Sequence, residues 1–209
     1  ERFCAVAFDY RGHGDTPHPG GHVDWERYGD DAVAMGEAMA EAFGGPVVAT
    51  SGNASGEPVL TDPAQAEVRL ATVADAFLHH DRPVVRPADD SVVRIVAGRA
   101  RPIRLGRGVA PLELELPREL PEPVLAVGGH LKLAVALAWD RRIVVSPHIG
   151  EMGTLRSEQV FEQVVADLQR LYDVTARHWL CDAHPGYTTT RRVQSRGLPY
   201  STVLHHHAH

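Results

Sequence analysis

Cysteine is scarce in this sequence: the 209 residues contain two, Cys4 and Cys181, which are far apart and belong to no C-x-x-C pair. This scarcity argues against a disulfide framework and against a cysteine-rich zinc site. The sequence also lacks an apolar run long enough to span a bilayer, and it lacks a charged, apolar, cleavable leader. We therefore expect a cytoplasmic chain with no membrane partner.

Basic charge is also limited. The chain has 21 Lys and Arg residues against 27 Asp and Glu residues, a formal net charge of −6, and it contains no long basic block. This balance gives no reason to expect binding to nucleic acid or to an anionic membrane. The apolar fraction of 44% suits a soluble globular protein, and the length suits one large domain or two small ones.

The first 44 residues contain a predicted strand, Phe3–Phe8, a glycine-containing turn, Asp9–Pro17, and a predicted helix, Ala32–Phe43. The turn reads D-Y-R-G-H-G-D-T-P, and this opening resembles an α/β-hydrolase. The resemblance implies a G-x-S-x-G elbow for the nucleophile, and the sequence contains none, so a hydrolase is the weakest functional alternative. We expect residues 1–44 to be a hydrolase-like piece joined near Gly44 to sequence of another origin; the alternative is that they replace family sequence by a different route.

Residues 45–105 begin with a short apolar strand that leads into a polar loop of small residues, Thr50–Pro58. The hydroxyl groups, the Asn amide and the backbone N–H groups beside glycine in this loop could bind phosphate or carboxylate oxygens. The alternative is that the loop is a simple turn whose polar residues cap its own backbone. Further along, Arg82, Arg86 and Arg94 suit bidentate binding of anionic oxygens, with solvated surface charge as the alternative. The first loop carries T-S-x-N-x-S-G-E-P and resembles YrdC-like domains. The segment H-D-R-P-V-V-R-P-A-D-D-S-V-V-R resembles the hydrogenase-maturation carbamoyltransferases of the HypF family.

The stretch from 98 to 123 is rich in Arg, Gly and Pro, which is typical of a surface connector, and we place a linker at 106–123 with a short strand near 112–116. From Val124 onward the pattern predicts a strand, a glycine turn, a second strand and its hairpin partner, the layout that opens an actin-like ATPase fold. A long helix is predicted from about Ser157 to Tyr172, with Ser157 near its cap. Two motifs of this part, G-G-H-L-K and S-P-H-I-G-E, also resemble the HypF family.

The chain ends on His205-His206-His207-Ala208-His209. On a helix, His205 and His209 lie four residues apart on one face and are suited to share a metal ion; a purification tag or chance is the alternative. The preceding C-D-A-H-P-G-Y-T-T segment is predicted to be a strand ending in a polar turn. There Asp182 or His184 either caps the loop or contacts substrate. The resemblance extends to both segments, which favours the metal interpretation.

Six motifs in one order, from Thr50 to His209, carry the resemblance. It implies a mixed α/β chain with the C-terminal half of a YrdC-like domain at 45–105 and the start of an actin-like carbamoyltransferase domain at 124–209. It also implies that ATP, with Mg, and carbamoyl phosphate form a carbamoyl-adenylate whose carbamoyl group passes to the C-terminal cysteine of a HypE-type maturation protein. Implied residues are Thr50, Ser51, Asn53, Arg86, Asp89 and Ser91 for the adenylate, Lys132 and His148 for catalysis, and His205 and His209 for zinc or iron.

The sequence departs from the family pattern in lacking the basic nucleotide-binding motif of the YrdC-like domain and a downstream acidic metal ligand. We therefore expect this chain alone to show no carbamoyl-phosphate-dependent ATP–pyrophosphate exchange. The alternative from another functional class is an inactive module that binds nucleotide or metal without turnover. ATP and zinc calorimetry on the wild type and on His205→Ala distinguishes the two, because a module binds without forming product.

Overall fold

A computed structural model describes residues 37–38, 40–42, 44–45, 52–53, 57–75, 77, 79 and 84–208. The described residues fall into two compact units. One holds those up to Gly52 and those from Leu60 to Val85; the other holds those of 53–59 and all from Arg86 onward. Among the described residues, no helix combines the length and apolarity that crossing a membrane requires.

The first unit contains helix α1, Pro63–Leu70. It begins at Pro63 because the Asp62 carboxylate accepts the Gln65 N–H at 2.8 Å and Pro63 occupies the first turn, where a missing N–H costs nothing. The apolar pattern of residues 64–77 predicts an amphipathic helix over that whole stretch, and the observed helix is shorter. The N–H groups of Val73 and Ala74 both donate to the Leu70 carbonyl, at 2.8 Å each, and this turn ends the helix.

The second unit begins with a hairpin of β1, Val92–Val96, and β2, Arg99–Arg104. Ala97 and Gly98 join the strands with positive φ angles of 51° and 73°, which suits a two-residue turn between right-twisted strands. The prediction that the connector begins at residue 98 was therefore wrong for 99–104, which are strand. The composition nevertheless predicted a surface position correctly, since both strands are exposed almost throughout.

A six-stranded sheet dominates the second unit, in the order β3-β6-β5-β4-β7-β8. Strands β3 to β6 pair antiparallel, whereas β4, β7 and β8 run parallel to one another. This confirms the predicted strand, glycine turn, strand and hairpin partner, and the predicted strand within 106–123 is β3 at the sheet edge. The strands are β3 Leu112–Glu115, β4 Val124–Ala126, β5 Ala136–Trp139, β6 Arg142–Val145, β7 His178–Asp182 and β8 Tyr200–Val203.

Helix α2, Leu155–Tyr172, connects β6 to β7, and helix α3, Thr188–Ser195, connects β7 to β8. The cap of α2 is Thr154 and not Ser157; Ser157 is the third residue of a reciprocal capping box with Thr154. Residues from both helices and the sheet form one core in which Phe161 and Leu137 are fully buried. Each such side chain contributes about 1.5–3 kcal/mol.

The two helices are also linked at the surface. Arg192 of α3 and Arg196, the residue that follows α3, form ion pairs with Glu158 and Glu162 of α2, and the Arg196 guanidinium lies 4.8 Å from the centre of the Trp179 ring. The two arginines are four residues apart, and so are the two glutamates. The two ion pairs therefore fix the register of α3 against α2. The last helix, α4, covers His205–Ala208.

Candidate functional site at the carboxyl ends of the parallel strands

The three parallel strands end at one edge of the sheet. Ala126 of β4 pairs with Leu180 of β7, and Asp182 of β7 pairs with Val203 of β8. The loops that follow these strand ends are therefore neighbours, the position at which open α/β sheets bind ligands. The end of β7, these loops and α4 carry the polar and ring side chains His130, Lys132, Asp182, His184, Tyr187 and His205.

Asp182 and His205 form the most direct contact at this edge. Nδ1 of His205 lies 2.7 Å from Oδ2 of Asp182, whose other oxygen accepts the His184 N–H at 2.7 Å. Burial raises the pKa of Asp182, but the His184 N–H and the His205 ring outweigh burial and hold that pKa below its usual value. Asp182 therefore caps its loop, one of the two roles predicted for it, and also contacts a predicted metal ligand.

Three aromatic rings stack beside this pair. Tyr187 lies between His184 and His130, with ring centroids 4.3 Å and 5.5 Å apart and interplanar angles of 15° and 19°. Nδ1 of His184 accepts the Gly186 N–H at 3.1 Å, whereas Nδ1 of His130 is buried without a hydrogen-bond partner among the described residues. The stack gives this edge a rigid wall next to Asp182.

Lys132 and His148, the predicted catalytic residues, lie on two segments that pair with each other. Leu133 and Gly150 form an antiparallel bridge, and Ile149 donates its N–H to the Leu133 carbonyl at 2.7 Å, so each predicted residue is next in sequence to one of these bonded residues. Burial lowers the pKa of His148; Asp89 opposes this effect, and the charges of Arg104 and Lys132 add to it. The imidazole is therefore neutral near pH 7 and is suited to accept a proton.

Asp89 and Ser91, two of the predicted adenylate residues, adjoin His148. The Asp89 carboxylate is 3.9 Å from Nε2 of His148 and 4.0 Å from Arg104. The Ser91 hydroxyl accepts the Gly106 N–H and donates to the Arg107 carbonyl, both at 3.0 Å. The structure thus brings Asp89 beside a catalytic candidate, whereas it gives Ser91 a role in joining the two ends of the hairpin.

The other predicted binding residues are separate from this cluster or outside the described residues. Arg86 forms an ion pair at 3.4 Å with Asp167 of α2, and the Asn53 amide donates to the Glu57 carbonyl at 2.9 Å. Thr50, Ser51 and His209 lie outside the described residues. In the part of the chain that the structure describes, no three His, Cys, Asp or Glu side chains converge to hold a metal.

Sequence reasoning did not link Asp182 to His205, nor did it find the role of Arg104 beside Asp89. The contact between Asp182 and His205 could have been predicted from the ends of β7 and β8. Asp182 and Val203 pair across these parallel strands, and His205 follows Val203 by two residues. No signal in the sequence pointed to Arg104, whose charge reaches the cluster only after the β1–β2 hairpin closes.

Comparison with known proteins assigns both parts of the chain to families. Residues 119–209 match the family model described as "HypF Kae1-like domain", and residues 33–106 match the Sua5/YciO/YrdC model, described as "Telomere recombination". The chain is 43% identical over 164 residues to the carbamoyltransferase HypF of Synechocystis sp., covering 78% of this chain and 21% of that protein. It is 37% identical over 177 residues to HypF of Rhodobacter capsulatus, covering 82% of this chain and 24% of the relative.

Two solved structures share the fold. A full-length HypF in the phosphate- and nucleotide-bound form aligns with a TM-score of 0.71 and 35% identity over 76% of this chain and 25% of the other. The T. kodakarensis HypF aligns with a TM-score of 0.70 and 34% identity, over 76% of this chain and 21% of that structure. The chain spans about a fifth of the length of the curated relatives it matches.

The chain is thus a mixed α/β protein with portions of a YrdC-like domain and a Kae1-like, actin-like domain. It belongs, through these portions, to the HypF carbamoyltransferase family. The YrdC-family match begins at residue 33 and overlaps the end of the predicted hydrolase-like piece. Neither family model reaches residues 1–32, and the comparisons give the hydrolase interpretation no support.

Proposed function

We propose that this chain contributes to a carbamoyltransferase that activates carbamoyl phosphate with ATP, in the presence of Mg, as a carbamoyl-adenylate. The carbamoyl group then passes to the C-terminal cysteine thiol of a HypE-type maturation protein. The observation that carries the proposal is the joint position of Asp89, from the YrdC-like portion, and His148, from the Kae1-like portion, 3.9 Å apart. The nucleotide-bound state named for the related full-length HypF supports ATP as the nucleotide.

In the transfer step, the thiol sulfur attacks the carbamoyl carbon, and the bond from that carbon to the AMP phosphate oxygen breaks. The partly buried His148 imidazole, neutral near pH 7, takes the thiol proton. Lys132 donates to the phosphate oxygens on which negative charge remains. AMP leaves and the cysteine retains the carbamoyl group as a thioester-like S-carbamoyl.

A metal ion, zinc or iron, is part of the same proposal. His205 and His209 would hold it, and when bound it would polarise a carbamoyl or phosphoryl oxygen as a Lewis acid. The donor chemistry fits, because an imidazole with a carboxylate on one ring nitrogen is a common metal ligand.

A chimera tests the proposal. Residues 45–209 replace the matching segment of the Synechocystis sp. HypF, and carbamoyl-phosphate-dependent ATP–pyrophosphate exchange is measured beside carbamoyl transfer to a HypE-type acceptor. We expect both reactions in the chimera and neither in this chain alone. Lys132→Met in the chimera should lower transfer by about 100-fold and exchange far less, since removing one stabilising donor costs about that much. A folded chimera inactive in both reactions would refute the function.

The binding-module alternative makes a different prediction. A module without turnover requires that the chimera bind ATP and zinc in calorimetry while forming no carbamoylated acceptor. His205→Ala should then remove zinc binding and leave ATP binding unchanged, because the two ligands use different residues.

A further inference from the structure

The end of β7 holds a carboxylate directed at a predicted metal ligand. We propose that Asp182 is a positioning residue that sets the tautomer and ring orientation of His205, so that Nε2 of His205 is the metal-donor atom. This inference deepens the metal site of the proposed function and rests on it for the presence of an ion. The orientation of the ring is a property of the metal-free chain and is measurable by itself.

The Asp182 carboxylate is held in place independently of His205. Its Oδ1 accepts the His184 N–H at 2.7 Å, and its backbone carbonyl accepts the Thr190 hydroxyl at 2.9 Å. The next residue, Ala183, donates its N–H to the Val203 carbonyl at 3.0 Å, which ties the strand end to β8. With its side chain only 5% exposed, Asp182 has a fixed direction, and Oδ2 is directed at the His205 ring.

His205, in contrast, is 46% exposed and lies in a helix of four residues. The 2.7 Å contact to an acceptor-only carboxylate requires that Nδ1 of the ring carry hydrogen, and the neutral ring then has its lone pair on Nε2. The adjacent His184 shows the opposite arrangement, because its Nδ1 accepts the Gly186 N–H. Carboxylate contacts of the first kind orient many metal-binding histidines.

The distance argues against Asp182 as a metal ligand itself. Two donor atoms that are each about 2.0 Å from a tetrahedral zinc ion are about 3.3 Å apart. The observed 2.7 Å between Nδ1 and Oδ2 is a hydrogen-bond distance. Asp182 therefore acts on the metal through His205.

The test compares the wild type with Asp182→Asn, which keeps the side-chain shape and the acceptor for the His184 N–H. The Asn amide would donate toward Nδ1 and favour the other tautomer of His205. Long-range ¹H–¹⁵N NMR on the metal-free chain reads the tautomer, with the His205 signals assigned by difference from His205→Ala. Zinc affinity is measured by chelator competition. The control is Asp167→Asn, which alters another buried aspartate, in α2.

We expect the Nδ1–H form of His205 in the wild type and in Asp167→Asn, and the Nε2–H form in Asp182→Asn, with His184 in its Nε2–H form throughout. Zinc affinity should fall about 10- to 100-fold in Asp182→Asn, as for other residues that orient a ligand. An unchanged His205 tautomer, or an affinity within twofold of the wild type, would overturn the inference. So would a loss as complete as that of His205→Ala, because it would make Asp182 a ligand.

Absence of zinc binding by the wild type would count against the metal site of the proposed function alone. The tautomer measurement would then decide the role of Asp182. A switch of His205 in Asp182→Asn supports that role, and no switch overturns it.

Discussion

Gly106→Ala is expected to disrupt the junction that brings Asp89 beside His148. A Cβ added at Gly106 would lie 2.3 Å from the Asp89 carbonyl oxygen and 2.8 Å from the Ser91 nitrogen. Both atoms are backbone, so no side-chain rotation relieves the overlap, and the segments must separate by about 1 Å to reach ordinary contact distance. The substitution therefore forces apart the segments on which the cluster depends.

Three hydrogen bonds span this contact and would weaken together: Arg107 N–H to the Asp89 carbonyl at 2.9 Å, and the two bonds of the Ser91 hydroxyl at 3.0 Å. At about 1 kcal/mol each, their loss predicts a decrease of about 3 kcal/mol in the free energy of unfolding. Overpacking alone typically costs about 1–3 kcal/mol, which agrees.

The assay is urea unfolding followed by tryptophan fluorescence, combined with amide hydrogen exchange at Arg107. Gly153→Ala is the matched control, since a Cβ there meets nothing within 4 Å. It should change the unfolding free energy by no more than about 0.5 kcal/mol. The reasoning fails if Gly106→Ala is as stable as this control and the Arg107 amide keeps its protection.

Three further predictions follow from the same structure. His148 should titrate below 6.5 in NMR, and Asp89→Asn should lower its pKa further because the Asp89 charge raises it. Since the pKa of His148 is lower folded than unfolded, its protonation should destabilise the fold as the pH falls below about 6.5, and Asp89→Asn should enlarge that loss. Tyr172→Phe should cost about 0.5 kcal/mol, because it removes an exposed 2.7 Å hydrogen bond to Glu113. The Tyr172 pKa is raised to about 12, so that contribution should be lost as the pH rises through 12, seen as tyrosinate absorbance. Thr190→Val should cost about 1–2 kcal/mol in urea unfolding, because it leaves the buried Asp182 carbonyl without the hydroxyl.

Local patterns predicted much of the fold. The apolar stripe of α2 identified the helix over nearly its full length, and the predicted succession of strand, glycine turn, strand and hairpin partner from Val124 onward identified β4, β5 and β6. The errors in predicted element boundaries lie where contacts between residues, and not local sequence pattern, determine the backbone structure. The start of α2 depends on a reciprocal pair of side chains, and the connector composition at 99–104 concealed a strand that the positive φ angles of Ala97 and Gly98 make possible.

The candidate site was predicted less completely, because its residues meet across long separations in sequence. The motifs identified His148 and Asp89 separately, and only the closed hairpin with its Ser91 contacts places them together. Arg86 shows the opposite outcome. Its guanidinium has the chemistry for an anionic ligand, and in this structure a carboxylate of α2, Asp167, occupies that role.

The start of α3 shows why polar residues in such a chain resist interpretation from local pattern. Thr188, Thr189 and Thr190 are β-branched, poor helix formers, and they are buried. The Thr189 hydroxyl donates to the Gly129 carbonyl at 2.8 Å, in the turn that leads to Lys132, and Thr190 donates to Asp182. One helical turn thus contacts the loop of a predicted catalytic lysine and the backbone carbonyl of Asp182, whose carboxylate contacts a predicted metal ligand. The two carbonyl partners, at Gly129 and Asp182, explain why threonines with low helix propensity are buried here. These partners lie at or beyond the ends of two different strands, so local pattern does not reveal them.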